Sequence, residues 1–318
     1  MDNRKDTVLK AITRTGPDRI PLLYAYSLEK SDVVNIPVVD HFTGDNKDRS
    51  EWGFEWEHLE NALLMGQPKR PVLEDWSELK SFVPPAAARV DRFAAARELM
   101  SRFGTDRFYK ANFSLSGFAV LTMLRGFENV MLDMYLEREH LEDLSDVIFG
   151  FENEVIRLAA EHKFSAIGLA DDWGSQSSLL ISPELWREIF KPRYKKQIEL
   201  AHSLGLLVYL HSCGYIIDII GDLIEIGLDI LNPGQPDING IEELGERFGG
   251  KICFACSVSY QTTGVMGSHS DIKAQIADYI RCFSSYNGGL IGIIPEDSQA
   301  LGIDNDKLAL MEREFKSY

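Results

Sequence analysis

The chain has 318 residues, 45% hydrophobic and 26% charged, which excludes a disordered or fibrous chain and leaves ample apolar material for a large core. A formal net charge of −16 sets it against nucleic acid and anionic membrane, and reads as a solubility charge. No apolar run reaches the roughly 18–20 residues that span a bilayer, and the polar start MDNRKDTVLKAITRTG lacks a signal-peptide core, so a cytoplasmic protein is expected.

In chain order, ITRTGPDRIPLLYAY reads as a helix end, a turn and a strand from Ile20 to Tyr26. Residues 32–57 read as a polar, aromatic-containing loop, and a helix over 91–103 follows the Pro84-Pro85 break. FYKANF (108–113) is a short strand, and apolar residues every three to four positions predict helix over 126–162. FSAIGLA (164–170) is a strand, followed by a helix over 183–204 bent or broken at Pro192. GLLVYLHS (205–212) is a strand; a helix over 215–226 stops at Gly227, a good C-cap residue. LDILNP (228–233), KICFACS (251–257) and GGLIGIIP (288–295) complete the strands. Helices over 240–248, 271–284 (Ser270 as N-cap) and 304–316 lie between and after them.

Ile-, Leu- and Val-rich strands alternating with helices mark βαβ units and a parallel sheet. GGLIGIIP lacks the G-x-G-x-x-G spacing of a dinucleotide fold. Length and unit count favour one α/β domain, a (β/α)8 TIM-type barrel. Residues 1–105 are then an irregular N-terminal segment packed on it, and 106–318 the regular βα units.

In such a barrel, functional residues follow the C-terminal ends of strands. Those positions hold Asn112, Asp171-Asp172-Trp173, His211-Ser212-Cys213, Asn232 to Gln235, Cys256 and Glu296-Asp297. His211 and Cys213, two apart on a strand, point to the same side and offer an imidazole and a thiolate, which suits zinc. An isolated H-x-C pair is more often a buried Cys beside a hydrogen-bonded His; the strand-end position before Gly214 tilts the reading toward ligands.

Asp297, after the last strand, is the first candidate for a third ligand and Glu296 the second, against ordinary loop or capping carboxylates. Asp171 and Asp172, adjacent on extended backbone, face opposite ways, so one enters the site as base, substrate contact or further ligand; a helix cap or loop turn is the bland alternative. Trp173, Gln176, Asn112, Tyr209 and Gln235 are the candidate substrate contacts. Cys253 and Cys256 form a C-x-x-C whose members point to opposite faces of a strand, which argues against joint ligation. Cys282 reads as a helix core residue, and four cysteines are too few for a disulfide scaffold.

R-T-G-P-D-R-I-P (14–21) resembles the start of the uroporphyrinogen decarboxylase superfamily. The block from Ala170-Asp171-Asp172-Trp173-Gly174 to Pro236-Asp237-Ile238 resembles its corrinoid-dependent methyltransferase branch, most specifically in H-S-C-G and N-P-G-Q-P. The resemblance covers most of the chain, most strongly about residues 105 to 240. It implies a distorted barrel with zinc on His211, Cys213 and a residue after the last strand, here Asp297 in P-E-D, a harder donor than the Cys or His of relatives.

It also implies transfer of a methyl group between a small molecule, a methoxylated aromatic by preference, and the cobalt of a corrinoid (cobalamin) on a separate carrier protein. True decarboxylases resemble the chain less: LLYAYSLEK follows Pro21 where they carry an arginine-rich motif. A metal-free decarboxylase anchored by Asp171 or Asp172, and a non-catalytic barrel binding a corrinoid or its carrier, are the alternatives.

Overall fold

The computed structural model describes residues 3–39, 49–57, 67–295 and 302–318. Among the described residues there are ten strands: β1 Leu22–Tyr24, β2 Val33–Val39, β3 Trp56–Glu57, β4 Gln67–Pro68, β5 Phe108–Phe113, β6 Ala166–Ala170, β7 Leu207–Ser212, β8 Ile230–Pro233, β9 Cys253–Cys256 and β10 Leu290–Ile294. Eight form one parallel sheet in the order β1-β10-β9-β8-β7-β6-β5-β2, while β3 and β4 make a small antiparallel pair.

The sheet curls into a nearly closed (β/α)8 barrel, as the sequence predicts. At the seam between β1 and β2, one backbone bond, from the Asp32 N–H to the Leu22 carbonyl at 2.8 Å, is joined by side chains in place of a regular ladder. The Leu22 N–H donates to Asp32 Oδ2 at 2.8 Å and the Tyr24 N–H to Ser31 Oγ at 3.0 Å. Arg19 holds the same Asp32 with two 2.7 Å bonds.

The N-terminal 105 residues do more than pack on the barrel, since β1 and β2 are two of its staves. Residues 33–39 (VVNIPVV), expected as part of a polar loop over 32–57, form β2 instead, although Asn35 and Pro37 are poor strand formers. Pro37 is tolerated at the seam, where β2 has a ladder partner on one side only.

Helices cover the outside, so β9 and β10 are buried on both faces and apolar throughout. Inward side chains, among them Leu23, Val33, Phe108, Ala166, Tyr209, Ile230, Cys253 and Ile291, form a separate interior cluster. Helix α1 (Arg4–Thr13) adds Val8 and Ile12 to that cluster and so plugs the N-terminal end. The opposite end carries the loops.

Helix α2 (Ala94–Phe103) precedes β5. The long helix expected over 126–162 is two, α4 (Phe127–Leu136) and α5 (Arg138–Glu161), and α3 (Gly117–Arg125) precedes them. Pro192 stands in the first turn of α7 (Lys191–Ser203), just after α6 (Pro183–Ile189), so the expected break is real. Helices α8 (Ile217–Glu225), α9 (Ile241–Phe248), α10 (Thr263–Met266) and α11 (His269–Tyr279) follow. The N-cap of α11 is Ser268 in a capping box with Asp271, not Ser270. A C-terminal helix over Asn305–Lys316 ends the chain, and no helix among the described residues is long and apolar enough to cross a membrane.

Candidate metal centre

Strands β6 and β7 are neighbours, with Ala170 opposite His211, so the residues just past β6 meet those ending β7. Asp172, His211 and Cys213 come together there, each ligand atom within 4.8 Å of the others. Cys213 Sγ lies 3.4 Å from His211 Nε2, and Asp172 Oδ1 lies 3.7 Å from that same nitrogen. The Asp172 side chain is 57% exposed and that of His211 33%, so the cluster is open to solvent.

The imidazole is aimed. His211 Nδ1 is 2.6 Å from Asn232 Oδ1, and Asn232 Nδ2 donates to the Ala255 carbonyl at 2.6 Å. That second bond orients the amide, so Nδ1 carries the proton and the Nε2 lone pair faces Cys213 and Asp172. An orienting partner of this kind is the usual companion of a metal-ligating histidine. Burial, then the charge of Asp172, pushes the Cys213 thiol up to about 12. A cation among the three donors would reverse that balance and favour the thiolate. One imidazole nitrogen, one sulfur and one carboxylate converging here form a set that fits zinc.

The turn bearing Cys213 is held on every side. Its N–H donates to Asp172 Oδ1 at 2.8 Å, and the Gly214 N–H to Gln235 Oε1 at 2.9 Å. Asn239 Nδ2 donates to the Gly214 carbonyl at 2.9 Å, and its Oδ1 accepts from the Ile216 N–H at 2.8 Å. At Gly214, φ is +85° and a Cβ would run into the backbone of Gly174, so the two loops cross where neither tolerates a side chain.

The other candidates fall in different places. Asp171 is fully buried and faces away from Asp172, as extended backbone requires. Its carboxylate accepts from the Phe118 N–H at 2.8 Å, the Ala119 N–H at 2.7 Å and the Tyr194 hydroxyl, and so caps α3. Burial raises its pKa well above the carboxylate range. Glu152 caps the same helix through the Gly117 N–H at 2.7 Å.

Trp173 lies in the core, fully buried and stacked on Phe118 at 4.4 Å between centroids, so the structure does not bring it to the barrel mouth. Gln235, also buried, braces the 213–216 turn. Gln176 is exposed on the loop after Gly174, while Asn112 and Tyr209 point into the barrel. Cys253 faces the barrel interior and Cys256 the outer core, and all four cysteines are free. Asp297 and Glu296 lie outside the described residues. The sequence marks Asn232 as a strand-end position without a role; its orienting role needs the β7–β8 register, in which it stands opposite His211.

Residues 65–291 match the family model described as uroporphyrinogen decarboxylase (URO-D). No curated protein matches the chain. Among solved structures, a methyltransferase from Methanosarcina mazei is similar over 100% of this chain and 99% of that one, with TM-score 0.75 and 16% identity. The D-psicose 3-epimerase from Clostridium cellulolyticum H10 is similar over 94% of this chain and 96% of that one, with TM-score 0.45 and 9% identity.

Proposed function

The chain belongs to the uroporphyrinogen decarboxylase family, and from that membership we propose that it is a zinc-dependent methyltransferase working with a corrinoid carried by a separate protein. The observation that carries this reading is the convergence of Asp172, His211 and Cys213 at the C-terminal end of the barrel. When bound, zinc would supply Lewis acidity toward the heteroatom bearing or receiving the methyl group, and the corrinoid the cobalt that exchanges it.

The chain's own part is positioning. His211 presents Nε2 because Asn232 holds Nδ1. Cys213 presents Sγ from a turn pinned by Asp172, Gln235 and Asn239. Asp172 adds a negative oxygen on the solvent side, with Asp297 a further proposed donor. A methoxylated aromatic is the favoured donor. A metal-free decarboxylase anchored by Asp171 is disfavoured, because that carboxylate is spent on α3.

The test follows cobalt absorbance when cob(I)alamin is mixed with the zinc-loaded protein and a panel of methoxyaromatics, methylamines and methylthiols. Methylcobalamin should form with wild type and not with Cys213→Ala. No transfer from any donor, with carbon dioxide released from a porphyrinogen, would replace this reading by the decarboxylase.

A further inference from the structure

Lys110 is the one Lys or Arg in the eight barrel strands, and it points inward, between Phe108 of the interior cluster and Asn112. It is 3% exposed. Its Nζ sits 3.5 Å from the centroid of the Tyr209 ring, a cation–π contact that offsets only part of the cost of removing an ammonium from water. No carboxylate pairs with it among the described residues, and burial alone pushes its pKa down to about 7. A surface lysine would extend its stem to bring the head into solvent; this one lays its head across the barrel.

Its surroundings are also unsatisfied. Lys110, Asn112 and Tyr209 form no side-chain hydrogen bond among the described residues. Asn35, opposite Lys110 in the β2–β5 register, buries an Oδ1 with no partner. Gly168 gives Lys110 and Asn112 their room: a Cβ there would stand 3.0 Å from both Lys110 Cδ and Asn112 Oδ1. Such a polar group without internal partners is the pattern of a site built for something else to complete.

We propose that Lys110, with Asn112 beside it, receives the carboxylate of a monoanionic substrate whose methyl-bearing heteroatom meets His211 and Cys213. The substrate class is inferred here; the reacting end rests on the methyl-transfer reading. One ammonium, with no second Lys or Arg in the barrel strands, matches one negative charge. Tyr209 and His211 are two residues apart on one strand face, so the ammonium lies roughly 7 Å of strand below the metal ligands. A benzene ring with para substituents spans such a gap, which makes a methoxybenzoate-type acid the fitting shape.

Calorimetry on the zinc-loaded full chain, with 4-methoxybenzoate and its uncharged counterpart 4-methoxybenzamide, tests the site. Wild type should bind the benzoate at least tenfold more tightly than the amide. Lys110→Met should reduce that ratio to about one while keeping zinc content and amide affinity, and Lys110→Gln should repeat the loss. Equal affinity of wild type for the two probes, binding of neither, or an undiminished ratio in both variants overturns the site. A lysine-dependent preference without methylcobalamin formation keeps this site and removes the methyl-transfer reading. Turnover of uncharged donors, with no lysine-dependent preference, does the reverse.

Discussion

Asn232 holds His211 through a 2.6 Å contact to Nδ1 and is itself held by a 2.6 Å bond to the Ala255 carbonyl. The chain Ala255–Asn232–His211 thus crosses three adjacent strands and fixes one imidazole tautomer. Asn232→Leu should weaken zinc binding by about 10- to 100-fold, the usual cost of losing such a partner. Asn232→Asp, which keeps the acceptor, should lose less. Competition with a chelating dye measures both; unchanged affinity in the Leu variant would mean the ring is held by other contacts.

Asp172 is the third donor that the described residues supply. Asp172→Ala should lower zinc occupancy and cost the metal-free fold about 1–2 kcal/mol, through loss of the bond that the carboxylate accepts from the Cys213 N–H. Asp297→Ala should also lower occupancy if that residue completes the set. Elemental analysis beside a thermal melt decides; full occupancy in Asp172→Ala would leave it outside the coordination sphere.

Glu152 makes a prediction about acid. Burial pushes its pKa from 4.5 up to about 7, so between those values the folded chain binds more protons than the unfolded one. Its contribution therefore falls as pH rises from 4.5 to 7. Glu152→Gln should remove that decline, worth roughly 3 kcal/mol across the window. Gln197 already donates to Glu152 Oε2 at 2.6 Å and buries an unpartnered Oε1, so an amide flip gives the new side chain an acceptor. Urea denaturation at several pH values is the measurement; parallel curves for the two proteins would contradict it.

Lys110 has the opposite sense. Its pKa is lowered from 10.5 to about 7, so the unfolded chain binds the extra proton between these values and stability rises with pH across that range. Lys110→Met should melt higher than wild type at pH 6, and the gap should close toward pH 10. A gap that does not narrow would mean the ammonium is better compensated than its surroundings indicate.

Same-side placement of His211 and Cys213, and opposite facing of Asp171 and Asp172, follow from strand alternation and were legible in the chain. Which aspartate faces the ligands was not, because that depends on where β6 ends against β7. Trp173 drew attention as an aromatic beside polar residues, yet it fills the space between Phe118, Trp186 and Phe190. Sequence cannot separate a core indole from one at a rim. Lys110 passed unnoticed inside an ordinary-looking strand, since its isolation is visible only once the neighbouring strands are placed. Asn35 and Pro37 hid β2 for the same reason: propensity reports local preference, and the barrel overrides it.

The pairing of β1 with β10 joins residues 22–24 to 292–294, nearly the whole length of the chain. During synthesis the first stave emerges long before its neighbour exists. Until residue 294 has left the ribosome, β1 presents unpaired backbone on the side where β10 will lie, and the hoop cannot close. Contacts so distant in sequence slow folding and leave an edge exposed to other chains. The side-chain clasp of Ser31 and Asp32 across β1 and β2 acts over ten residues or fewer, so it can gather the early strands while the barrel waits for its last one.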